Sequence, residues 1–260
     1  MSGAMTRIAA QSIRVQRADR LILDDITASA GAGEFVAVIG PNGAGKSTLL
    51  SVLAGLLSPD SGNVTLDDRA VADCKPRELA RARAFLPQNP RCDWPLPVHR
   101  LVGLGLTPML PAFGDFSAAD VARIDSALAA CDLTAQRDQP ATTLSGGELA
   151  RAMLARALVA DPAVLIVDEP LTGLDPRHAQ DAARRLQQLA AAQGKLVIAS
   201  IHDLNIALRR ASRVWALRAG RLVAVGTPAE VIRPALLREL FDVEASVTGS
   251  GAQAYVDFAP

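Results

Sequence analysis

The chain has 260 residues, half of them apolar, and its 27 basic and 27 acidic side chains give a formal net charge of zero. This length allows one or two domains with a large core, and the apolar content excludes a disordered chain. Nucleic-acid-binding proteins are usually basic and often carry stacking aromatic residues. Because aromatic residues make up only 3% of this chain, we expect no nucleic-acid partner.

The cysteines and the apolar runs indicate the compartment. Cys74, Cys92 and Cys131 are widely spaced, a pattern that favours reduced thiols over a disulfide framework or a zinc site. No uninterrupted apolar run approaches about 20 residues, the length that spans a bilayer. The start of the chain lacks the charged-then-apolar pattern of a signal peptide, and either Met1 or Met5 can serve as initiator. We therefore expect a cytoplasmic chain.

The N-terminal part predicts strands on both sides of one helix. Residues 8–13 and 21–26 alternate between apolar and polar side chains, and residues 63–66 form another short strand after a turn. Residues 35–39 are continuously apolar, which predicts a strand buried on both faces, and residues 48–57 predict the helix. We expect an antiparallel sheet beside an α/β core.

The loop between that buried strand and the helix matches the pattern G-x-x-x-x-G-K-[ST] without a mismatch. Glycines let such a loop curl so that several N–H groups point at a phosphate, and the helix adds the positive end of its dipole. Lys46 is predicted to reach the β- and γ-phosphates, and Ser47 to ligate Mg²⁺. The predicted nucleotide-binding residues are Gly40, Pro41, Asn42, Gly43, Ala44, Gly45, Lys46, Ser47 and Thr48. The sequence therefore predicts a nucleoside triphosphate site.

The remainder of the chain alternates between helical and strand patterns. Several prolines and segments of helical period predict a mostly helical subdomain over about residues 89–156, inserted between two strands of the core. Residues 163–167 and 196–201 are continuous apolar runs, as expected of parallel strands covered on both faces. Residues 176–192 predict a helix between these strands. About residues 205–260 form a mixed C-terminal part.

Polar residues suited to phosphate chemistry follow both of these apolar strands. Asp168 and Glu169 follow one, and His202 follows the other. Ligands of open α/β sheets lie outside the carboxyl ends of the strands, so we expect these side chains to converge with the phosphate loop. Asp168 suits the carboxylate on the Mg²⁺ side, and Glu169 is placed to polarise a water for attack on the γ-phosphate.

A second glycine-containing motif begins another predicted helix, with Ser145, Gly146, Gly147 and Glu148. Ser145 and Glu148 fit the S-x-x-E capping box. The capping box does not explain the two glycines, which cost about 1 kcal/mol each relative to alanine. Glycines are expected there if a phosphate approaches the helix N-terminus closely. Because the phosphate loop already supplies one cradle, we expect two chains to share each nucleotide.

These motifs, in this order, resemble the nucleotide-binding subunits of ATP-binding-cassette (ABC) transporters over essentially the whole chain. The resemblance implies a single ABC ATPase domain over residues 1–260, of the α/β class. Its P-loop NTPase (RecA-like) core would carry an antiparallel β subdomain and the inserted helical subdomain. The resemblance also implies ATP and Mg²⁺ as cofactors, and a head-to-tail dimer with a second copy of the chain. An integral membrane permease would hold the dimer at the cytoplasmic face of the inner membrane, with a solute-binding protein as indirect partner.

The resemblance assigns roles to individual residues. Glu169 is implied as general base, His202 as a contact of the γ-phosphate, and Asp175 as part of the loop after the second acidic motif. Ser145 and Gly147, with Gly146 and Glu148 in the same motif, would contact the nucleotide of the other chain. The implied metal contacts are Ser47, Gln88 and, through water, Asp168.

The adenine contact departs from the family pattern. Relatives usually place an aromatic residue before the first β turn, where it stacks on adenine. In this chain Arg17 occupies that position, with Arg20 as the second candidate. A guanidinium plane can also stack on a base, so Arg17 is the predicted adenine contact.

Residues 202–208 and 226–231 resemble, more narrowly, the importers of iron siderophores, haem and cobalamin. The implied function is ATP hydrolysis that powers uptake of such a solute. An ABC ATPase of another transporter class, either a metal-ion importer or an exporter, is an alternative. An ABC ATPase without a permease, acting on ribosomes or chromosomes, is disfavoured because such relatives typically carry tandem cassettes, long insertions or basic regions.

Overall fold

A computed structural model of the chain describes residues 6–88, 91–111, 114–249 and 251–258. The strands of this described part are β1 (Arg7–Arg17), β2 (Arg20–Gly31), β3 (Phe35–Ile39), β4 (Ser61–Leu66), β5 (Arg69–Ala70), β6 (Arg83–Leu86), β7 (Val164–Val167), β8 (Leu196–Ser200), β9 (Arg213–Arg218), β10 (Arg221–Gly226), β11 (Ala245–Thr248) and β12 (Tyr255–Phe258). Its helices are α1 (Lys46–Leu53), α2 (Pro76–Ala82), α3 (Val98–Gly103), α4 (Ala118–Ala130), α5 (Gly146–Leu158), α6 (Pro176–Ala191), α7 (Leu204–Arg210), α8 (Pro228–Val231) and α9 (Pro234–Phe241).

A six-stranded sheet with the order β10-β9-β3-β8-β7-β6 forms the centre of the fold. Its strands run parallel except β10, which pairs antiparallel with β9 at one edge. Every residue of β3, β7 and β8 is buried, as their continuous apolar runs predict. Phe35, Ala37 and Ile39 pack into one core cluster, whereas Val36 and Val38 pack into another. The sheet is therefore covered on both faces.

An antiparallel sheet with the order β2-β1-β4-β5 packs beside the helix that follows the phosphate loop. Ile13 of β1 and Leu23 of β2 share a core cluster with Leu49 of α1. The two strands contain 11 and 12 residues, longer than the predicted segments 8–13 and 21–26. Most of the additional residues are exposed or half-buried, although Val15 and Ala30 are buried. The pairing of β1 with β2 also carries register shifts. The apolar pattern of the sequence does not predict the full length of β1 and β2, because strand residues that are not buried need not follow the hydrophobic period.

Helices dominate the described chain between β6 and β7, where α3 packs against both α4 and α5. Ser117 is the N-cap of α4 and forms a capping box with Asp120. The segment 98–106 consists of α3 and a following 3₁₀ turn, Leu104–Leu106. These observations confirm the α/β class with its antiparallel sheet and helical insertion. Asn89 lies outside the described residues, so the subdomain limits of 89–156 remain a prediction.

The C-terminal part completes both the sheet and its cover. Strands β9 and β10 belong to the central sheet, and the hairpin β11-β12 packs against α7 and α9. The division near residue 205 remains a prediction. Within the described ranges, every helix is too short or too polar to cross a bilayer. The polar residues that follow β3, β7 and β8 lie at the carboxyl ends of these strands, where the candidate site is found.

Candidate active site

The phosphate loop connects β3 to α1, and three of its glycines have positive φ. These angles are +151° at Gly40, +77° at Gly43 and +103° at Gly45. A Cβ at Gly40 would lie 2.1 Å from the carbonyl oxygen of Leu217, closer than any side chain tolerates. Gly45 ends the loop in the left-handed region immediately before α1. The loop therefore has the curled backbone that the motif predicts.

Lys46, the first residue of α1, lies across this loop with only 6% of its surface exposed. Its Nζ donates to the carbonyl oxygens of Gly40 (2.8 Å) and Pro41 (3.0 Å). Burial lowers the pKa of Lys46, because the charged form loses hydration, and the carboxylates of Glu169 and Asp168 partly counteract this shift. The ammonium group is thus desolvated and held by two carbonyls that an anionic phosphate can replace.

Ser200, the last residue of β8, joins the two acidic residues that follow β7. Its fully buried hydroxyl donates to Asp168 Oδ1 (2.6 Å) and accepts from the backbone N–H of Glu169 (2.7 Å). Glu169 has a φ of +49°, a left-handed conformation that costs a side-chain-bearing residue about 1–2 kcal/mol. The hydrogen bond from its N–H to Ser200 therefore helps to hold a strained residue at the carboxyl edge of the sheet.

The carboxylate of Glu169 is the centre of a hydrogen-bond network. His202 Nε2 lies 2.6 Å from Oε1, while Gln88 Nε2 (2.6 Å) and Thr172 Oγ1 (3.0 Å) donate to Oε2. Burial raises the pKa of Glu169, but the hydrogen bonds from His202 and Thr172 and the charges of His202 and Lys46 outweigh it, so the pKa lies below its ordinary value. Glu169 is therefore a carboxylate at neutral pH.

One cavity of about 790 Å³ brings most of the predicted nucleotide residues together. Its lining residues are Arg20, Ile22, Asn42, Gly43, Gly45, Lys46, Ser47, Thr48, Gln88, Glu169, Thr172 and His202. The remaining loop residues, Gly40, Pro41 and Ala44, do not line this cavity. The cavity has the position and the donors expected of a triphosphate site.

The two candidate adenine contacts are placed differently. Arg20 lines the cavity with Ile22, whereas Arg17, the first choice from the sequence, is absent from the lining. The guanidinium of Arg17 instead donates to the carbonyl oxygen of Gln16 at 3.3 Å. The geometry therefore favours Arg20 over Arg17.

Ser145, Gly147, Glu148 and Asp175 line a separate cavity of about 360 Å³. Ser145 caps α5 and forms the predicted capping box with Glu148. A Cβ at Gly146 would meet nothing within 4 Å, and one at Gly147 only a leucine methyl at 4.0 Å. No contact within the described chain therefore requires glycine at these two positions. Open space before this helix is what a second chain's nucleotide would need.

Asp175 and its neighbours lie beside that open space. The Asp175 side chain caps α6 by accepting from the backbone N–H of His178 (2.9 Å), and its second oxygen lies 2.5 Å from His178 Nδ1. These hydrogen bonds, the backbone one foremost, lower the pKa of Asp175. Gly146 lines an adjoining groove of about 770 Å³ together with Asp168 and Glu169. This groove lies between the phosphate-loop cavity and the cavity at Ser145, which share no lining residue.

The residues around Asp168 fit a shared Mg²⁺ site. In the part of the chain that the structure covers, no three His, Cys, Asp or Glu side chains cluster into a complete metal cage. Mg²⁺ in phosphate-transfer sites is usually held by one or two protein oxygens, waters and the substrate's phosphates. Asp168 is a buried carboxylate beside the cavity, and the hydroxyl of Ser47 lines it. Gln88, the third predicted metal contact, bonds to Glu169 in this structure.

Sequence reasoning assigned no role to two residues that contact the acidic pair. In the sequence, Ser200 belongs to a largely apolar strand, and Thr172 lies three residues after Glu169 without a motif of its own. A serine inside an otherwise apolar, doubly covered strand is a usable signal, because a buried hydroxyl must find hydrogen-bond partners. The sequence alone does not show that those partners are Asp168 and Glu169.

Comparison with known proteins gives a consistent family assignment. The family model described as "ABC transporter" matches residues 23–172. Hemin import ATP-binding protein HmuV of Rhodopseudomonas palustris is 42% identical over 245 residues, covering 90% of this chain and 88% of the relative. The protein of the same name from Thermobifida fusca is 41% identical, covering 88% and 79%.

Two solved structures share the fold. A metal-chelate type ABC transporter in an inward-facing conformation has a TM-score of 0.84 at 22% identity, covering 98% of this chain and 97% of that one. A dimeric ATP-binding cassette in a post-hydrolysis state, bound to ADP and Pi, has a TM-score of 0.76 at 25% identity, covering 85% and 98%. With the phosphate loop and the Glu169 network described above, the family match leads to one conclusion. The chain belongs to the ABC transporter family, as an ATP-hydrolysing subunit.

Proposed function

We propose that the chain binds MgATP in the phosphate-loop cavity and hydrolyses it with Glu169 as general base, to power uptake of haem or a related iron chelate. The observation that supports the catalytic part best is the convergence of Lys46, Gln88, Glu169 and His202 on one cavity. The substrate class rests on relatives of about 40% identity that are named for hemin import. Siderophore and cobalamin uptake remain alternatives within the same importer group.

Glu169 has the protonation state that this role requires. As a carboxylate, it would accept a proton from the attacking water while the water oxygen bonds to the γ-phosphorus and ADP leaves with the bridging oxygen. Lys46 would bind the β- and γ-phosphate oxygens, and His202 would hold the γ-phosphate. Mg²⁺, held by Ser47, by Gln88 and through water by Asp168, would supply positive charge that neutralises the phosphates.

Gln88 and His202 both form hydrogen bonds with the Glu169 carboxylate. Gln88 and His202 occupy both of its oxygens at 2.6 Å, where they compete with a water molecule. Both side chains are also expected to contact the bound nucleotide. Nucleotide binding would therefore draw them away from Glu169 and free the carboxylate for the attacking water.

Hydrolysis is proposed to need two copies of the chain, arranged head to tail. The phosphate-loop cavity and the cavity at Ser145, Gly147 and Asp175 are separate within one chain. In the dimer, Ser145 and Gly147 of one copy would contact the γ-phosphate held by Lys46 of the other. The dimeric form of a structural relative supports this arrangement.

Replacing the proposed base tests the catalytic assignment. Glu169→Gln keeps the size of the side chain but removes the proton acceptor, so MgATP binding should persist while steady-state hydrolysis falls at least about a hundredfold. Because the cycle stops before hydrolysis, the variant should elute as a dimer when MgATP is present. The measurements are phosphate release and light scattering after gel filtration. Turnover close to that of the wild type would remove Glu169 from this role.

The permease is expected to dock on the proline-rich segment after Gln88. Trp94 in this segment is 71% exposed, and tryptophan is enriched at protein–protein interfaces. We propose that this contact places the chain on the cytoplasmic face of the inner membrane. Co-purification from detergent-solubilised membranes should recover a multi-span permease, and uptake assays with haem, a ferric siderophore and cobalamin would then distinguish the solutes. Recovery of ribosomes or DNA instead would contradict transport.

A further inference from the structure

The turn between β9 and β10 lies directly behind the phosphate loop. Gly220, in this turn, has a φ of +79°. Its N–H donates to the carbonyl oxygen of Ala44 in the phosphate loop (3.0 Å), and its carbonyl accepts from the N–H of Asp24 in β2 (2.8 Å). A single residue of the central sheet's edge hairpin thus connects the phosphate loop with the antiparallel sheet.

Backbone approaches around this turn leave little room for adjustment. A Cβ at Gly220 would lie 2.5 Å from the carbonyl oxygen of Ile22 in β2. A Cβ at Gly45 would lie 2.9 Å from the same oxygen. The phosphate loop, the turn and β2 are therefore in contact through backbone atoms, and a shift of the turn must move the other two.

The carboxylate of Asp24 fixes the turn from the other side. Its side chain is only 8% exposed and accepts from Arg14 Nη2 (2.7 Å) and Nε (3.2 Å) on β1. It also accepts from the guanidinium of Arg221, which follows the turn on β10. A poorly hydrated carboxylate needs such partners, so Asp24 ties three strands from two sheets together beside Gly220.

The hydrogen bond to the Ala44 carbonyl restrains the orientation of the peptide group that joins Ala44 to Gly45. It shares a planar trans peptide with the N–H of Gly45, so the two point in opposite directions. Holding the oxygen on Gly220 therefore directs the Gly45 N–H away from the turn. This N–H has no acceptor among the described residues, and Gly45 lines the phosphate-loop cavity.

We propose that the Gly220 turn, held in place by Asp24, is a positioning element that presets the phosphate loop for the triphosphate. The inference rests on the proposed MgATP site and assigns it two residues outside the loop motif. Neither Gly220 nor Asp24 lines the phosphate-loop cavity, so both act through Ala44 and the direction of the Gly45 N–H. Loosening them should weaken MgATP binding without changing the chemistry of a bound nucleotide.

A pair of matched glycine variants tests the turn. Gly33 has nearly the same backbone angle, φ +81°, but a Cβ there would meet nothing within 4 Å. Gly220→Ala and Gly33→Ala therefore impose similar left-handed strain, and only Gly220→Ala forces the turn away from β2. Calorimetric titration of the full chain with MgATP should show binding weakened at least about tenfold in Gly220→Ala and within about twofold of wild type in Gly33→Ala.

A second pair of variants, at charged side chains, tests the same inference if Gly220→Ala does not fold. Asp24→Asn removes the charge that holds Arg14 and Arg221, while Glu34→Gln removes the ion pair with Arg213 (3.0 Å) at the other end of β9. Asp24→Asn should raise the KM for MgATP about threefold or more, with kcat within about twofold. Glu34→Gln should leave both constants near wild type. The milder Arg221→Gln, at an exposed side chain, should shift KM in the same direction.

The outcomes separate this inference from the proposed site. If Lys46→Ala binds MgATP as tightly as wild type, the phosphate-loop site itself is wrong. If Lys46→Ala loses MgATP binding but Gly220→Ala binds MgATP as tightly as Gly33→Ala, the positioning role is wrong and the site stands. The same conclusion holds if Asp24→Asn lowers kcat and leaves KM unchanged. Weaker MgATP binding in Gly220→Ala but not in Gly33→Ala supports the inference. So does a higher KM in Asp24→Asn and Arg221→Gln but not in Glu34→Gln.

Discussion

Ser200→Ala is the substitution that best isolates the geometry of the acidic pair. The serine hydroxyl is fully buried and bonds to Asp168 Oδ1 at 2.6 Å and to the N–H of Glu169 at 2.7 Å. Removing it leaves a buried acceptor and a buried donor without their partner, and each such loss costs about 1–3 kcal/mol. Allowing for partial rehydration at the cavity edge, we expect a loss of about 2–3 kcal/mol in unfolding free energy.

The catalytic effect of Ser200→Ala follows from the strain at Glu169. Its φ of +49° is unfavourable by about 1–2 kcal/mol, and the hydrogen bond to Ser200 helps to maintain it. When that bond is absent, the backbone should relax and displace the carboxylate. A displacement of about 1 Å can lower a rate about a hundredfold. We therefore expect kcat to fall about 10- to 100-fold while MgATP binding changes less than about twofold.

Ser212→Ala is a control that removes the same pair of hydrogen bonds, at a serine that is exposed to solvent. Ser212 Oγ also accepts from a backbone N–H and donates to a carbonyl, both of Phe35, at 2.9 and 3.3 Å. These bonds lie at the amino-terminal end of β3, the end opposite the phosphate loop. Urea unfolding, calorimetric MgATP binding and steady-state phosphate release should be measured for both variants. The reasoning is refuted if Ser200→Ala keeps a wild-type kcat, or if both variants lower kcat equally.

Two further predictions concern nucleobase binding and acid stability. Arg20→Ala should weaken ATP binding about three- to tenfold, as expected for loss of a stacking guanidinium. Arg17→Ala should leave ATP binding unchanged. Equal losses of affinity in calorimetric titrations of the two variants would contradict the cavity geometry. Hydrogen bonds from Ser145 lower the pKa of Glu148 below its ordinary value of 4.5. The ionised Glu148 side chain therefore contributes fully to stability above pH 4.5, and this contribution is lost as the pH falls through the folded-state pKa. The difference in unfolding free energy between wild type and Glu148→Ala should therefore be constant above about pH 5.5 and shrink below pH 4.5; a difference that grows in acid would reverse the assignment.

Features encoded over short stretches of chain were predictable. The phosphate loop and the capping box at Ser145 depend on residues within one or two turns of each other, so their spacing is sufficient. The fully buried strands were equally clear, because a strand covered on both faces must be apolar throughout. With the order of the motifs, these features determined the family and the fold class.

Features that depend on distant contacts required the tertiary structure. Arg17 and Arg20 are cross-strand neighbours at the tip of the β1-β2 hairpin, and only their side-chain conformations decide which one reaches the cavity. Ser200 meets Glu169 across 31 residues. Gly220 joins Ala44 to Asp24 across most of the chain. The sequence determined which local conformations are possible, whereas the partners of a buried hydroxyl or a turn amide exist only after the sheets have packed and excluded water.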